Sequence, residues 1–319
     1  MIIVFMNATG IAALLAALVP LLAGGCQVPN ERNSAGATSP ETLSIVAAAY
    51  PFQFIAEQVA GSHANVSSLT RPGAEPHDLE LTPPQVATIV RADLVIYERT
   101  FQPTVDEAVL QSENRNVLDT ATVVPLAHHS ESGDGDAGSG PEEELHGADP
   151  HVWLDPIQVT AIADAVADRL AAIDPVNADH YRANLGGLQS RLADLDRRFH
   201  KGLARCERTV FITTHAAFGY LAERYGLIQE GISGLSPEVE ASPARIAEVH
   251  REALKHGVTT IFFETLTSPA VAEAVAGDLG LRTDVLDPIE GITADSHGTD
   301  YFSVMAANLA ALRKANGCQ

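Results

Sequence analysis

The chain has 319 residues, of which 46% are hydrophobic, and its formal net charge is −21. This length allows one large domain or two medium ones, and the hydrophobic content excludes a chain that is disordered throughout. The acidic charge argues against nucleic acid as a partner, because phosphate binding needs a basic face.

The first 25 residues carry no charged side chain, and residues 11–22 form an apolar run that is short for a bilayer span. This run leads into Leu22-Ala23-Gly24-Gly25-Cys26, which resembles the lipobox of a bacterial lipoprotein signal. We therefore expect residues 1–25 to be a lipoprotein-type signal and Cys26 to carry a lipid anchor. The alternative is an ordinary secretory signal that is cleaved nearby. Both place the mature protein outside the cytoplasm, lipid-anchored to the outer face of the cell membrane or periplasmic.

Residues 26–42 are polar and rich in Ser, Pro, Asn and Gly, which is typical of a flexible tether. An alternation of strands and helices follows, which predicts an α/β lobe with a mainly parallel sheet over residues 43–174. The predicted strands lie at 43–49, 65–69, 93–97 and 117–119. The predicted helices lie at 52–60, from Pro83 onward, and from Pro156 to about residue 173.

A long helix is predicted over residues 175–204, because leucines recur along it at helical spacing up to Phe199. A straight helix of this length spans about 45 Å, which suits a strut between two lobes. Gly186 and Gly187 lie inside it and cost roughly 1 kcal/mol each relative to alanine. The pair indicates close packing or a bend.

The second half repeats the α/β rhythm over residues 205–319. The predicted strands lie at 209–213, 259–263 and 283–286, and the predicted helices lie at 216–225, 243–256, 269–279 and 301–316. The expected fold is therefore an α/β protein of two lobes with mainly parallel sheets, joined by one long rigid helix.

Polar residues follow three of the predicted strands, namely His215, Glu264 and Asp287. In open α/β sheets, ligands bind at the carboxyl ends of the strands. Two further histidines lie in proline-containing loops of the first half, His77 and His151. All of these side chains can face one cleft.

Each of these residues also has a structural explanation when it is taken singly. His77 and Asp287 suit turns, His151 can pack on Trp153, and His215 can satisfy free N–H groups at a helix start. Taken jointly, three imidazoles and one carboxylate match the ligands that Zn²⁺ prefers. The chain contains no His-Glu-x-x-His, Gly-x-Ser-x-Gly or Gly-x-x-x-x-Gly-Lys motif. The pattern therefore favours holding a metal over catalysis with it.

The segment at residues 127–149 is rich in acidic residues, glycine and serine and cannot bury a core. It contains three histidines near its ends, namely His128 and His129 at one end and His146 at the other. We expect a mobile loop that binds extra zinc weakly and is dispensable for the tight site.

Five motifs together resemble the zinc-binding solute-binding proteins of ABC metal importers, the cluster A-I group. They are Pro-Gly-Ala-Glu-Pro-His-Asp-Leu-Glu-Leu-Thr-Pro at 72–83, Asp-Pro-His-Val-Trp-Leu-Asp-Pro at 149–156, Thr-His-Ala-Ala-Phe-Gly-Tyr-Leu at 214–221, Ser-Pro-Glu-Val-Glu-Ala-Ser at 236–242 and Leu-Asp-Pro-Ile at 286–289. The resemblance covers residues 43–317. It implies two α/β lobes with metal held between them, and its ligands match His77, His151, His215 and Asp287. The manganese branch typically has Glu where this chain has His215, so zinc is implied, with Glu264 behind the ligands.

This resemblance implies capture of Zn²⁺ outside the cytoplasm and its delivery to a membrane ABC permease, by a protein that is not an enzyme and that we expect to be a monomer. The alternatives are manganese or iron uptake by the same class of transporter, a secreted zinc hydrolase and a metal-dependent adhesin. Metal preference distinguishes manganese or iron uptake. An open coordination position beside a general base distinguishes a hydrolase, and binding at the cell surface distinguishes an adhesin.

If Cys26 is lipidated, Cys206 and Cys318 remain as a pair. In an exported protein an even pair predicts a disulfide, here one that ties the last helix to the second lobe. Two free buried thiols are the alternative.

Overall fold

The computed structural model describes residues 42–129 and 147–319. The predicted signal and tether, Cys26, His146 and most of the acidic loop lie outside the described residues. The first sheet has the parallel strand order β2-β1-β3-β4. Its strands are β1 (Leu43–Ala47), β2 (Ala64–Ser68), β3 (Leu94–Tyr97) and β4 (Val117–Asp119).

Strand β1 lies inside this sheet, since Ile45 pairs with Val66 on one side and with Leu94 on the other. Every residue of β3 is buried, as expected for a parallel strand that is covered on both faces. The helices of this half are α1 (Tyr50–Ala60), α2 (Pro83–Arg91), α3 (Pro103–Gln111) and α4 (Pro156–Ile173).

The second sheet has the order β6-β5-β7-β8, with all pairs parallel, and so repeats the strand order of the first. Its strands are β5 (Val210–Thr213), β6 (Ile228–Gly231), β7 (Thr260–Phe263) and β8 (Arg282–Val285). The remaining helices of this half are α6 (Gly219–Tyr225), α7 (Pro243–His256), α8 (Ala270–Leu279) and α9 (Tyr301–Asn316).

In chain order, the long helix α5 (Ala178–Leu203) connects the half with the first sheet to the half with the second. It has 26 residues and is therefore about 39 Å long. A 3₁₀ turn, Pro175–Asn177, precedes it, so the α-helix begins three residues later than predicted. A methyl group added at Gly186 or Gly187 would meet no atom within 4 Å. The glycine pair therefore does not serve close packing, and α5 continues through it.

The largest hydrophobic core contains side chains of both sheets, for example Ile45, Val95, Phe211 and Phe262. Helix α5 packs against α1, α4 and α9 and contributes buried leucines to this core. Residues Thr42–Gln319 thus form one compact unit, and the prediction of two α/β lobes joined by a long helix is confirmed.

A second, smaller core lies on the other face of the second sheet, where α7 and α8 contribute Val249, Ala253 and Val275. Cys206, which follows α5, and Cys318, which follows α9, form a disulfide across a sequence separation of 112. The predicted disulfide is therefore present, and it joins the carboxyl ends of these two helices. None of the helices in residues 42–129 and 147–319 is both long and apolar enough to cross a bilayer.

Candidate metal centre

The carboxyl ends of the strands in both sheets carry the polar residues of one buried site. His77 lies in the loop between β2 and α2, and His151 directly precedes a short 3₁₀ turn, Val152–Leu154. His215 follows β5, and Glu290 follows β8. This is the edge at which parallel α/β sheets bind their ligands.

Three imidazole nitrogens converge on a single carboxylate oxygen, Oε1 of Glu290. The Nε2 atom of His151 lies 3.0 Å from it, and the Nε2 atoms of His77 and His215 each lie 3.5 Å from it. One ligand atom from each of these four residues lies within 4.8 Å of all the others. Glu290 and His151 are fully buried, and His215 is nearly so.

The spacing of these atoms suits a tetrahedral zinc ion. With Zn–N and Zn–O bonds of about 2.0–2.1 Å, the edges of the tetrahedron measure about 3.3 Å. The three nitrogen–oxygen distances of 3.0 to 3.5 Å match three of the six edges, and the group as a whole extends over at most 4.8 Å. The Nε2 atoms of His77 and His215 and the second oxygen of Glu290 are buried without a hydrogen-bond partner. Buried polar atoms are otherwise nearly always paired, so these three are free to coordinate a cation.

His151 is oriented by Asp149. One carboxylate oxygen of Asp149 accepts the His151 backbone N–H at 2.9 Å and lies 2.7 Å from the His151 Nδ1 atom. A proton on Nδ1 leaves the Nε2 lone pair available to a metal, which is the usual arrangement behind a metal-bound histidine. The Tyr220 hydroxyl donates to the Asp149 carbonyl at 2.9 Å and fixes this loop to α6.

His215 has an equivalent partner on the other side of the site. Its Nδ1 atom lies 2.9 Å from Oε1 of Glu264, and the Thr267 hydroxyl donates to the same oxygen at 3.1 Å. The Thr213 hydroxyl donates to the His215 carbonyl at 2.6 Å and fixes the turn after β5. Glu264 therefore lies directly behind His215, as the family resemblance implied.

His77 is positioned through the main chain of its loop. The Gln102 side chain donates to the Pro76 carbonyl at 2.9 Å, and the Glu75 carboxylate accepts the His77 backbone N–H at 3.1 Å. The edge of the His77 ring packs against Phe101, with 4.8 Å between ring centroids. His77 is the least buried of the four residues. It lines a cavity of about 230 Å³ together with Pro150, which places it nearest to solvent.

The electrostatics of the site favour positive charge at its centre. Burial lowers the pKa of His215, but the Glu264 and Glu290 carboxylates outweigh burial and hold this pKa well above its usual value. Burial likewise lowers the pKa of His151, and Asp149 outweighs it, so that the pKa is raised. A divalent cation satisfies the same carboxylates while the imidazoles stay neutral.

The carboxylates respond to this environment in opposite ways. Burial raises the pKa of Glu290, but the neighbouring His151, His215 and His77 imidazoles outweigh burial and hold it well below its usual value. Glu75 has no such set of imidazoles to outweigh burial, and burial, followed by the neighbouring Glu290 charge, raises its pKa to about 8. Glu290 is thus the anionic member of the group.

Asp287, the predicted carboxylate ligand, lies outside this group of four. Its Oδ1 atom accepts the Ile289 backbone N–H at 2.8 Å, and its Oδ2 atom accepts the Thr265 hydroxyl at 3.1 Å. Glu290, which lies three residues further along the same loop, occupies the place beside the three histidines that was expected of Asp287. In the sequence, Glu290 is visible only as a second acidic residue in the same loop, directly after Asp-Pro-Ile.

The two loop histidines that the structure describes, His128 and His129, are not among these four residues. His129 has its Nδ1 atom 2.6 Å from Oδ2 of Asp149 and its Nε2 atom 3.2 Å from the Glu223 carboxylate. His128 and His129 line a cleft of about 680 Å³ beside β6. His146 lies outside the described residues, so the three predicted loop ligands cannot be placed together.

A two-lobed α/β fold with three histidines and a carboxylate between its sheets defines a metal-binding protein. Residues 45–315 match the family described as zinc-uptake complex component A, periplasmic, and the chain belongs to this family. The zinc-binding lipoprotein AdcA of Streptococcus pneumoniae is 36% identical over 310 residues, which cover 95% of this chain and 60% of AdcA. The high-affinity zinc uptake system protein ZnuA of Bacillus subtilis is 32% identical over 299 residues, which cover 92% of this chain and 93% of that protein.

Solved structures show the same fold. The Zn(II)-bound ZnuA-like domain of Streptococcus pneumoniae AdcA superposes with a TM-score of 0.70 at 34% identity, covering 86% of this chain and 99% of that domain. The laminin-binding protein Lmb of Streptococcus agalactiae, described as an adhesin with metal transporting activity, superposes with a TM-score of 0.74 at 28% identity, covering 86% and 99% of the two chains. The chain spans 60% of the length of the AdcA protein that it matches.

Proposed function

We propose that this protein captures one Zn²⁺ ion outside the cytoplasm and delivers it to the membrane permease of an ABC importer. Its ligands are His77, His151, His215 and Glu290. The observation that carries the proposal is the convergence of three imidazole Nε2 atoms, all within 3.5 Å, on one oxygen of Glu290. Membership of the zinc-uptake family and the zinc-binding relatives support the choice of metal.

Nitrogen ligands also favour zinc over manganese. Imidazole suits a metal of borderline softness, whereas manganese prefers carboxylate, carbonyl and water oxygens. Three nitrogens and one carboxylate complete the four-coordinate shell of zinc without a water molecule. A catalytic zinc site usually keeps one position open to water, so this set suits a carrier and not an enzyme.

The test is zinc titration of metal-free protein against a competing chelator, for wild type and for four single variants. The variants are His77→Ala, His151→Ala, His215→Ala and Glu290→Gln. Wild type is expected to bind one equivalent tightly, and each variant is expected to bind it more weakly while keeping its helical content. Wild-type affinity in all four variants would refute the proposed site.

Delivery to the permease is tested in cells of a strain that lacks its own zinc-binding component. Wild-type protein is expected to restore growth under zinc chelation, and the folded His151→Ala variant is expected not to.

Further parts of the proposal are a lipid anchor at Cys26, a monomeric state, and lobes at residues 43–174 and 205–319 joined by residues 175–204. Metabolic labelling with palmitate in wild type and Cys26→Ser tests the anchor.

Weak extra binding by His128, His129 and His146 stays a prediction for the loop. The proposed ligands come from both halves of the chain, because His77 and His151 precede α5 while His215 and Glu290 follow it. Ligand binding to the folded state alone stabilises it through linkage. Zinc is therefore expected to raise the thermal midpoint of the whole compact unit.

A further inference from the structure

The turn that carries Glu290 is held by a second carboxylate, Asp287. Asp287 follows β8 and is almost fully buried. Its Oδ1 atom accepts the N–H of Ile289, two residues ahead, at 2.8 Å, which closes an Asx turn around Pro288. Its Oδ2 atom accepts the Thr265 hydroxyl at 3.1 Å. Both oxygens are thereby engaged within the second half of the chain.

This turn needs support because of the backbone at Ile289. Ile289 has φ 61°, in the left-handed region, and its side chain is fully buried. A β-branched residue is rarely found there, because its side chain crowds the preceding and following peptide groups. The conformation persists only where surrounding contacts impose it. Ile289 lies between Asp287 and Glu290, so its backbone conformation determines where the Glu290 side chain leaves the turn.

Two more side chains hold the main chain of the same turn. Asn308 on α9 accepts the Asp287 N–H at 2.9 Å and donates to the Asp287 carbonyl at 2.7 Å. The indole N–H of Trp153 donates to the Pro288 carbonyl at 2.7 Å. Trp153 lies two residues after His151, so the loop that carries the His151 imidazole is also hydrogen-bonded to the turn that carries the Glu290 carboxylate.

We propose that Asp287 is a positioning residue for Glu290 and does not touch the metal. Its carboxylate accepts the Ile289 N–H, fixes the left-handed residue and so delivers the Glu290 carboxylate to the three imidazoles. The inference rests on the proposed function, because it takes Glu290 as the fourth zinc ligand. It accounts for two acids three residues apart in one loop, with one binding and one shaping the backbone.

Asparagine separates positioning from coordination. Asp287→Asn keeps an oxygen that accepts the Ile289 N–H, and its amide donates to the Thr265 hydroxyl, which is itself able to accept. Asp287→Ala keeps neither interaction. A coordinating Asp287 would lose its ligand in both variants, because a neutral amide is a poor substitute for a carboxylate on zinc.

The experiment measures zinc affinity by chelator competition and the visible spectrum of the Co²⁺-substituted protein. The proteins are wild type, Asp287→Asn, Asp287→Ala, Glu290→Gln and His151→Ala. We expect Asp287→Asn to keep the wild-type affinity within about threefold and to keep the wild-type Co²⁺ spectrum. We expect Asp287→Ala to lose about 10–100-fold in affinity, as is usual when a group behind a ligand is removed, and to change the spectrum. Glu290→Gln should lose more than Asp287→Ala.

Asp287→Asn as weak as Asp287→Ala, with Glu290→Gln near wild type, would make Asp287 the ligand and overturn the inference. Wild-type affinity and spectrum in Asp287→Ala would also overturn it, while losses in His151→Ala and Glu290→Gln would leave the proposed function standing. Wild-type affinity in both of those variants would refute the proposed function itself. If Asp287→Ala does not fold, Asn308→Ala replaces it, because it removes the other clamp on the same residue. Unchanged affinity in a folded Asn308→Ala would then overturn the inference.

Discussion

The two halves of the chain each contribute two of the proposed ligands, but they hold them differently. His77 and His151 come from loops that contain prolines, and their neighbours in sequence orient them: Glu75 accepts the His77 N–H, and Asp149 contacts the His151 ring. His215 and Glu290 follow the ends of strands. A partner remote in sequence, Glu264, lies behind His215, whereas Asp287 closes the turn that carries Glu290. The first half therefore contacts both of its histidines through carboxylates two residues away, whereas the second half combines one local turn with a partner that is distant in sequence.

This difference explains what the sequence revealed. The three histidines could be predicted, because Glu-Pro-His, Asp-Pro-His and Thr-Thr-His mark loops and a strand end. Glu290 could not, because its place depends on the positive φ of Ile289, and residue type gives no sign that an isoleucine adopts it. Asp287 was predicted as the carboxylate ligand, and we infer from its turn geometry that it shapes the backbone instead.

The fold shows the same division between local and assembled features. The alternation of strands and helices predicted both parallel sheets, but α3 and β6 were not predicted. Helix α3 has nine residues, and its three buried residues span only Val105 to Val109, so the helical pattern extends over little more than one turn. Strand β6 reads Ile-Gln-Glu-Gly and lies at the edge of its sheet, and only pairing with β5 makes it a strand.

The largest effects are expected from the ligands themselves. His151→Ala and His215→Ala remove a nitrogen from each half of the site and should each weaken zinc by more than the roughly 100-fold that marks the upper range for groups behind a ligand. His215→Glu should in addition shift preference toward manganese, because a hard oxygen replaces nitrogen. Competitive titration with both metals at fixed pH measures this. An unchanged zinc-to-manganese ratio in His215→Glu would contradict the assignment of His215.

The next largest effects are expected from the two carboxylates that contact the histidine Nδ1 atoms, Asp149 behind His151 and Glu264 behind His215. Asp149→Ala and Glu264→Ala should each weaken zinc about 10–100-fold, because each releases the Nδ1 atom of one ligand. Asp149 also contacts His129, so its loss should be the more destabilising of the two. Chelator competition and thermal unfolding of the two variants measure affinity and stability. The exposed Glu223→Gln serves as a matched control on the outer side of His129 and should behave as wild type in both.

The pH dependence tests the charges shared by both halves. His151 and His215 have raised pKa values, and zinc binds only neutral imidazole. As the pH is lowered, the zinc affinity should therefore begin to fall at a pH above the ordinary histidine pKa of about 6.5. In the metal-free protein a raised pKa stabilises the fold below the unfolded value and loses this contribution as pH rises through the folded value. Glu75, with its pKa raised to about 8, acts in the same direction.

The thermal midpoint of metal-free protein should therefore fall from about pH 6 to pH 9, while the increase caused by zinc grows. Calorimetry with and without zinc across this range measures both quantities. Glu75→Gln is the control, because it removes one of the titrating groups and should flatten the metal-free curve. An increase caused by zinc that is equal at both ends of the range would contradict this electrostatic account.

The smallest effect is expected from the acidic loop. Deleting residues 130–145 should leave one tight equivalent of zinc with unchanged affinity, because the four proposed ligands lie elsewhere in the chain. Only weaker binding beyond the first equivalent should be lost. Isothermal titration of the deletion variant checks this, and loss of the tight equivalent in a folded variant would show that the loop belongs to the primary site.

The central claim is that Glu290, and not Asp287, joins three histidines around one zinc ion. Crystals of zinc-loaded protein, measured with anomalous diffraction on both sides of the zinc edge, test it most directly. We predict one strong peak with the Nε2 atoms of His77, His151 and His215 at about 2.0–2.1 Å and a Glu290 oxygen at about 2.0–2.2 Å. Asp287 should still accept the Ile289 N–H. A peak bonded to the Asp287 carboxylate, with Glu290 turned away from it, would contradict the account.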